Sequence, residues 1–213
     1  MDKNFWRQKW KNNKIAFHKS EANPFLVQHF KELSLEKGSR VFVPLCGKTL
    51  DIAWLLAHGY RVAGAELVEM AIEQLFTELG VDPTISKADD VKHYSAENID
   101  IFVGNIFDVS STILGPVSAI YDRAALVALP DDMRKRYTAH LTKITNNAPQ
   151  LLVSFDYDQT IMNGPPFSVS NEEVTQHYGN SYNLTLLSST DIPGGLKGRC
   201  AAKTNVWLLQ AQV

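Results

Sequence analysis

The stretch Arg40-Val-Phe-Val-Pro-Leu-Cys-Gly-Lys48, followed by Tyr60-Arg-Val-Ala-Gly-Ala-Glu66, decides the fold of this chain of 213 residues. Each contains an apolar run typical of a buried strand, and Asp51-Ile-Ala-Trp-Leu-Leu-Ala-His58 between them is typical of a helix. The pattern predicts a strand, a tight turn, a helix and a second strand that ends in an acid. Because open α/β sheets bind ligands beyond the carboxyl ends of their strands, Glu66 is expected at a binding crevice.

The first turn and Glu66 together indicate the kind of ligand. Glu66 lies about 20 residues after the turn, where a carboxylate binds the two hydroxyls of a ribose. The turn holds one glycine, Gly47, and lacks the Gly-x-Gly-x-x-Gly pattern of a pyrophosphate clamp. Lys48-Thr49 resembles the end of a phosphate-binding loop, but that motif needs a glycine where Phe42 stands. An adenosyl ligand without phosphates fits best, and we predict S-adenosylmethionine (SAM) as the cofactor.

The composition predicts a single enzyme domain over residues 1–213. Hydrophobic residues make up 45% of the chain, which is enough to fill one core. A net charge of -2 provides no basic surface for nucleic acid or an anionic membrane. The chain has two cysteines and no apolar leader, so we expect a cytoplasmic protein. We expect a monomer because no coiled-coil pattern is present.

Seven segments are short and rich in β-branched or aromatic residues, which is typical of strands. They are Arg40–Leu45, Tyr60–Leu67, Asp100–Gly104, Val117–Tyr121, Leu151–Tyr157, Asn183–Ser188 and Asn205–Ala211. The first five are almost continuously apolar, as parallel strands are when helices cover both faces. With helices between the strands, the pattern predicts an α/β, doubly wound, seven-stranded, mostly parallel sheet. A final antiparallel pair suits a methyltransferase sheet better than a dinucleotide-binding fold.

Residues 1–30 precede the first strand and are predicted to form a helical lid over the crevice. Trp6, Trp10 and Phe17 lie on a partly apolar face with helical spacing. A lid of aromatic residues excludes water and packs against a sulfonium cation. The alternative is that these side chains are anchors of an ordinary core.

Two further pairs of residues follow predicted strands. Asp122 and Arg123 end the fourth segment, either as an ion pair that holds a loop or with Arg123 binding a carboxylate or a polar substrate edge. Asn105 and Ile106 follow the third segment, where adenine is expected, although an ordinary turn explains them equally well. The six histidines show no zinc-site spacing, and we expect no metal.

Six stretches of the chain match, in order, the motifs of one known enzyme family. They are Trp6-x-x-x-Trp10, Ala16-Phe17-His18, Val43-Pro-Leu-Cys-Gly-Lys48, Gly64-Ala-Glu66, Tyr121-Asp-Arg-Ala-Ala-Leu-Val-Ala-Leu129 and Gly164-Pro-Pro-Phe-Ser-Val169. Several are long, and together they extend over nearly the whole chain. By these motifs the chain resembles the thiopurine S-methyltransferase family.

The resemblance implies the class I fold of SAM-dependent methyltransferases. Asp122 and Arg123 are the candidate catalytic residues. The resemblance also implies that these residues bind the cofactor: Trp6, Trp10, Phe17, Leu45, Glu66, Asn105, Ile106 and Arg123. Phe17 and Arg123 also lie where the family meets its substrate. Gly164-Pro-Pro-Phe167 resembles a further wall of the pocket, and the region of Lys197-Gly-Arg199 is a candidate for a second basic contact. The family often has Gly-Asp-Phe-Phe where this chain has Gly104-Asn-Ile-Phe107.

The reaction that the resemblance implies is an in-line displacement on the methyl carbon of SAM, with S-adenosylhomocysteine as the leaving group. Asp122, or a water held by Arg123, is the predicted proton acceptor. Thiopurines and other aromatic or heterocyclic thiols are the predicted small-molecule acceptors. The alternatives are selenium or tellurium oxyanions, methylated for detoxification, and a SAM-binding module without catalysis. The missing glycine pattern disfavours a nucleotide-dependent oxidoreductase.

Overall fold

The computed structural model describes residues 3–15 and 18–212, and in these residues nine strands form one sheet. The strands are β1 (Arg40–Pro44), β2 (Arg61–Glu66), β3 (Thr84–Ala88), β4 (Val91–Ala96), β5 (Ile99–Val103), β6 (Ala119–Arg123), β7 (Gln150–Tyr157), β8 (Tyr182–Asp191) and β9 (Ala202–Ala211). Their order across the sheet is β3-β4-β5-β2-β1-β6-β7-β9-β8.

The described residues form seven α-helices. They are α1 (Lys3–Lys11), α2 (Pro24–His29), α3 (Leu50–Ala57), α4 (Glu69–Leu79), α5 (Ser111–Leu114), α6 (Asp131–Ile144) and α7 (Asn171–Tyr178). The side chains of Asn23, Thr49 and Ser170 each accept a hydrogen bond from a backbone N–H in the first turn of the helix that follows. None of these helices is long and apolar enough to cross a membrane.

The central strands, from β5 through β2, β1 and β6 to β7, run parallel to one another. The register pairs Pro44 with Ala65 and Glu66 with Val103, so the carboxyl ends of β1, β2 and β5 meet at one edge of the sheet. The α/β class is confirmed. The loops that follow β1, β2, β5 and β6 therefore lie at one edge of the sheet, where open α/β sheets bind their ligands.

The predicted number of seven strands is wrong, and the sheet is mixed rather than mostly parallel. All seven predicted segments form strands, but β3 and β4 add an antiparallel hairpin beside β5. Residues 84–87 are exposed, so β3 has no continuous apolar face to predict it from sequence. Its stability comes from pairing with β4, and that of β4 from pairing with β5.

Apolar side chains fill both faces of the central sheet, because successive strand residues point to opposite faces. Phe42 packs into the cluster that includes Tyr137 and Val174, beneath α6 and α7. Its neighbours Val41 and Val43 pack into the other cluster, beneath α2, α3 and α4. The sheet is therefore covered by helices on both faces, as the doubly wound prediction requires.

Candidate functional site

The candidate site lies at the carboxyl edge of the parallel strands, where Glu66 ends β2. Its side chain is 7% exposed. Oε2 accepts a hydrogen bond from the N–H of Gly47 at 2.8 Å, and Oε1 accepts one from the N–H of Val68 at 2.9 Å. Burial raises the pKa of Glu66, while the backbone donors oppose that rise. Two backbone N–H groups therefore fix the direction of this buried carboxylate.

The loop after β1 has a backbone conformation that most residues avoid. Leu45 and Gly47 have φ angles of 47° and 53°, and Ala124, just after β6, has a φ of 64°. Leucine and alanine are uncommon in this left-handed region, and such strain concentrates at functional sites. Strained backbone thus follows two neighbouring parallel strands, at the edge that carries Glu66.

Helix α1 covers the loop after β1. Trp10 is 5% exposed and packs with Val68 and Ala71, while Trp6 is partly buried against the same cluster. A Cβ atom placed on Gly47 would lie 3.1 Å from Cζ2 of Trp10, so glycine allows the indole to approach closely. The structure therefore brings Trp10 to the loop that Glu66 holds.

Phe17 lies outside the described residues, so its roles in cofactor and substrate binding stay predictions. Its neighbour His18 lies within the electrostatic reach of Lys48 and Arg123. Burial and then the charge of Lys48 lower the pKa of His18; Arg123 adds to this effect, and Glu78 opposes it. His18 is therefore close to the carboxyl ends of β1 and β6.

Arg123 is the last residue of β6 and lies at the same edge of the sheet as Glu66. It is partly exposed. In the part of the chain that the structure describes, its guanidinium makes no ion pair. The interpretation of Asp122 and Arg123 as an ion pair is therefore wrong, and the planar donor group of Arg123 is left for another acceptor.

Asp122 binds other partners, which lie inside the fold. Its side chain is fully buried, and its carboxylate accepts hydrogen bonds from the N–H of Leu126 at 3.1 Å and the hydroxyl of Tyr137 at 2.7 Å. Burial raises the pKa of Asp122 to about 6, against the effect of these donors. This environment favours a structural role, and the assignment of Asp122 as proton acceptor remains a prediction. Sequence analysis did not single out Tyr137, which lies on α6.

Asn105 and Ile106 lie where β5 ends and a short 3-10 turn, Ile106–Asp108, begins. The side chain of Asn105 accepts a hydrogen bond from the N–H of Phe107 at 3.4 Å and caps the turn. Ile106 is 6% exposed and belongs to the core beneath α6. This geometry places the two residues at the same edge as Glu66, since the N–H of Gly104 binds the carbonyl of Glu66 at 2.8 Å.

The segment Gly164–Phe167 is fixed by hydrogen bonds from three directions. The N–H of Phe167 donates to the carbonyl of Val127 at 2.6 Å. The hydroxyl of Tyr157 donates to the carbonyl of Pro166, and Nζ of Lys197 donates to the carbonyl of Pro165, each at 2.7 Å. The structure therefore joins Lys197 to the segment that resembles a pocket wall. Lys9 of α1 and Arg199 also lie close enough to lower the pKa of Lys197, after the larger effect of burial.

A surface cavity of about 500 Å³ lies at the amino ends of the parallel strands, beside the first residues of β1 and β2. Arg40, Arg61 and Asp100 line it, and Arg40 binds Asp100 at 2.9 Å. None of the predicted site residues lines this cavity. Among residues 3–15 and 18–212, no cluster of three or more His, Cys, Asp or Glu side chains is arranged to hold a metal ion.

Solved structures define the class of the fold. A SAM-dependent methyltransferase from Anabaena variabilis aligns with a TM-score of 0.67 at 13% identity, covering 99% of this chain and 95% of its own. A second structure is the 1,6-didemethyltoxoflavin-N1-methyltransferase of Burkholderia thailandensis, solved with S-adenosylhomocysteine bound. It aligns with a TM-score of 0.66 at 14% identity, and the alignment covers 98% of this chain and 87% of that one. The fold is that of the class I SAM-dependent methyltransferases.

Sequence comparison identifies the family. The family model for thiopurine S-methyltransferase matches residues 1–210. The thiopurine S-methyltransferase of Xanthobacter autotrophicus is 53% identical over 211 residues, which is 99% of each chain. That of Teredinibacter turnerae is 50% identical over 213 residues, 100% of this chain and 99% of its own. The chain belongs to the thiopurine S-methyltransferase family, whose members are SAM-dependent enzymes, and the resemblance seen in the sequence is confirmed.

Proposed function

We propose that this protein transfers the methyl group of SAM to the sulfur of thiopurines or other aromatic or heterocyclic thiols. The observation that carries the proposal is the match of the family model to residues 1–210. The crevice at the carboxyl ends of the strands, with Glu66 and Arg123 at its edge, supports it. Bound SAM supplies a methyl group already activated by its sulfonium, so the side chains need only bind, orient and exclude water.

Glu66 is proposed to accept hydrogen bonds from the ribose hydroxyls of SAM. An ionised carboxylate has about four lone-pair sites, and the N–H groups of Gly47 and Val68 occupy two of them. The remaining sites suit a diol, and the two backbone donors hold the carboxylate in one orientation. Leu45 and the turn at Asn105 and Ile106 are proposed to border the adenosyl group, since both lie at this edge.

The N-terminal segment, residues 1–30, is proposed to act as a lid, with Trp6 and Trp10 of α1, and Phe17 beyond it, facing the cofactor. Trp10 already packs against the loop at Gly47, so the helix closes one side of the crevice. Aromatic faces stabilise a sulfonium cation and keep water from the reacting atoms. A ligand beneath the helix adds contact area that the helix lacks without it.

Hydrogen exchange of α1 is expected to slow when S-adenosylhomocysteine binds, because the ligand completes the burial of its aromatic face. The first residues of β8, which lie beside the amino end of β7 and away from the carboxyl edge of the parallel strands, are the internal control and are expected to exchange at an unchanged rate. Equal and strong protection of α1 with and without ligand would identify it as an ordinary core helix.

Arg123 is proposed to align the reactants through its planar fork of donors. In the described chain it makes no ion pair, so its donors are available for the methionine carboxylate or for the acceptor. Aromatic thiols are acidic and need little help from a strong base. Asp122, or a water bound by Arg123, is proposed to take the remaining proton. We also propose that the protein acts as a monomer, because its sequence has no coiled-coil pattern.

A panel of acceptors tests the substrate class. Purified protein is incubated with SAM and a heterocyclic thiol, its hydroxyl analogue, selenite or tellurite, and S-adenosylhomocysteine is quantified with the methylated product. We expect one methyl thioether for each S-adenosylhomocysteine released and no product from the hydroxyl analogue, since sulfur is the softer nucleophile. Product from selenite or tellurite alone would establish the oxyanion alternative. SAM binding without turnover of any acceptor would identify a binding module.

A further inference from the structure

Helix α6 carries a row of three polar side chains, Arg134, Tyr137 and His140, spaced three residues apart. Residues at this spacing lie along one side of a helix. All three are at least partly buried, and each hydrogen-bonds to a different part of the chain near the candidate site. We refer to these three residues as the α6 row.

His140 holds the turn after β5. Its Nε2 lies 2.9 Å from the carbonyl oxygen of Ile106 and 3.1 Å from that of Val109. Since both partners are acceptors, Nε2 carries the hydrogen. The ring also meets Phe107 edge-on, with centroids 5.5 Å apart. One imidazole therefore binds both ends of the turn that begins at Ile106.

Tyr137 holds the turn after β6. Its hydroxyl donates to Asp122 at 2.7 Å, and the other oxygen of Asp122 accepts from the N–H of Leu126 at 3.1 Å. Arg123 and Ala124 lie between these two anchor points, and Ala124 has a φ of 64°. The bond from Tyr137 therefore supports the strained backbone that presents Arg123.

Arg134 holds the segments that surround Phe167. Its Nη1 donates to the carbonyl of Leu129 at 3.0 Å, and its Nε and Nη2 bind both carboxylate oxygens of Glu173 on α7, at 2.5 and 3.1 Å. The guanidinium carbon lies 5.9 Å from the ring centroid of Phe167. Arg134 is 5% exposed, so this paired cation is part of the interior.

We propose that the α6 row positions three parts of the site for methyl transfer. His140 positions the turn Ile106–Asp108, called here the adenosyl turn, and Tyr137 positions Arg123. Arg134 positions the segment Gly164–Phe167, called here the acceptor wall. This proposal rests on the function proposed above. The three are positioning residues, because each acts through another group at the site. In a reaction dominated by alignment, misplacement of a site group by about 1 Å costs roughly 100-fold in rate. A single rigid helix that holds all three loops fixes their relative positions.

The test compares one variant for each loop by SAM calorimetry and by steady-state kinetics with a heterocyclic thiol. His140→Leu is expected to raise the Kd of SAM about tenfold and to leave the KM of the thiol nearly unchanged. His140→Gln, which keeps an N–H donor, is expected to recover most of the affinity.

Tyr137→Phe is expected to lower kcat about tenfold with normal SAM affinity, and Arg134→Lys is expected to raise chiefly the KM of the thiol. Lys143→Leu, at an exposed position of the same helix, is the matched control.

Thermal unfolding separates positioning from simple support of the fold. Equal losses of stability and of every kinetic constant in all three variants would overturn the proposal, as would normal SAM affinity in His140→Leu. The calorimetric comparison of His140→Leu, His140→Gln and Tyr137→Phe needs no acceptor. If the wild-type protein binds SAM but methylates no thiol, the proposed function fails, while these three affinities still decide whether His140 positions the adenosyl turn.

Discussion

Replacement of Arg123 by lysine is expected to lower kcat/KM for a thiol acceptor by roughly 100-fold, the cost of a misplacement of about 1 Å where alignment dominates. Lysine keeps the positive charge but loses the planar, multi-donor fork that aligns a carboxylate or a substrate edge. Because Arg123 makes no ion pair in the described chain, the loss should appear in turnover rather than in stability.

The measurement is kcat/KM with SAM affinity and thermal unfolding recorded on the same sample. Arg61→Lys is the matched control, since Arg61 is an exposed arginine at the opposite end of the sheet. Near-native kcat/KM in Arg123→Lys would mean that Arg123 supplies only charge. Reduced stability with normal turnover at low temperature would mean that it supports the fold.

Replacement of Glu66 by glutamine is expected to weaken SAM binding by about tenfold or more. This corresponds to the loss of one charge-assisted hydrogen bond, which contributes about 1.5–3 kcal/mol. The carboxylate accepts from Gly47 and Val68 with one oxygen each. Glutamine places an NH₂ group where one of those oxygens was, so it turns a donor toward a backbone donor and offers fewer acceptors to the ribose. Calorimetry with SAM measures the effect.

The matched control is Glu73→Gln, an exposed acid on α4 in the next element along the chain. Its SAM affinity is expected to equal that of the wild type. If folded Glu66→Gln protein binds SAM with unchanged affinity, Glu66 does not contact the ribose.

The strands of the sheet could be predicted from sequence wherever both faces are buried. The side chains of Val41, Phe42 and Val43 are each at most 2% exposed. Such continuous apolar runs are the strongest strand signal. The hairpin of β3 and β4 gives no comparable signal, because Thr84-Ile-Ser-Lys-Ala88 is mainly exposed. Its strand conformation depends on pairing with β5, which is a tertiary effect.

The placement of Glu66 at the crevice followed from sequence because its strand ends there. Its bonds to Gly47 and Val68 depend on side-chain direction, which spacing does not specify. Asp122 illustrates the same limit: adjacency to Arg123 indicated an ion pair, whereas strand alternation turns Asp122 to Tyr137 on the other side of the sheet. The spacing of Arg134, Tyr137 and His140 was visible in the sequence. Their partners Leu129, Asp122 and Ile106 lie 5, 15 and 34 residues away, which spacing does not reveal.

Isotope labelling shows directly whether the methyl group moves from SAM to sulfur. The protein is given SAM with an isotopically labelled methyl group and a thiopurine, which offers both an exocyclic sulfur and ring nitrogens. NMR of the product then locates the labelled carbon. We expect all of the label to be bound to sulfur. Label on a ring nitrogen would contradict it, and would place this chain's reaction with the N-methyltransferases that share its fold.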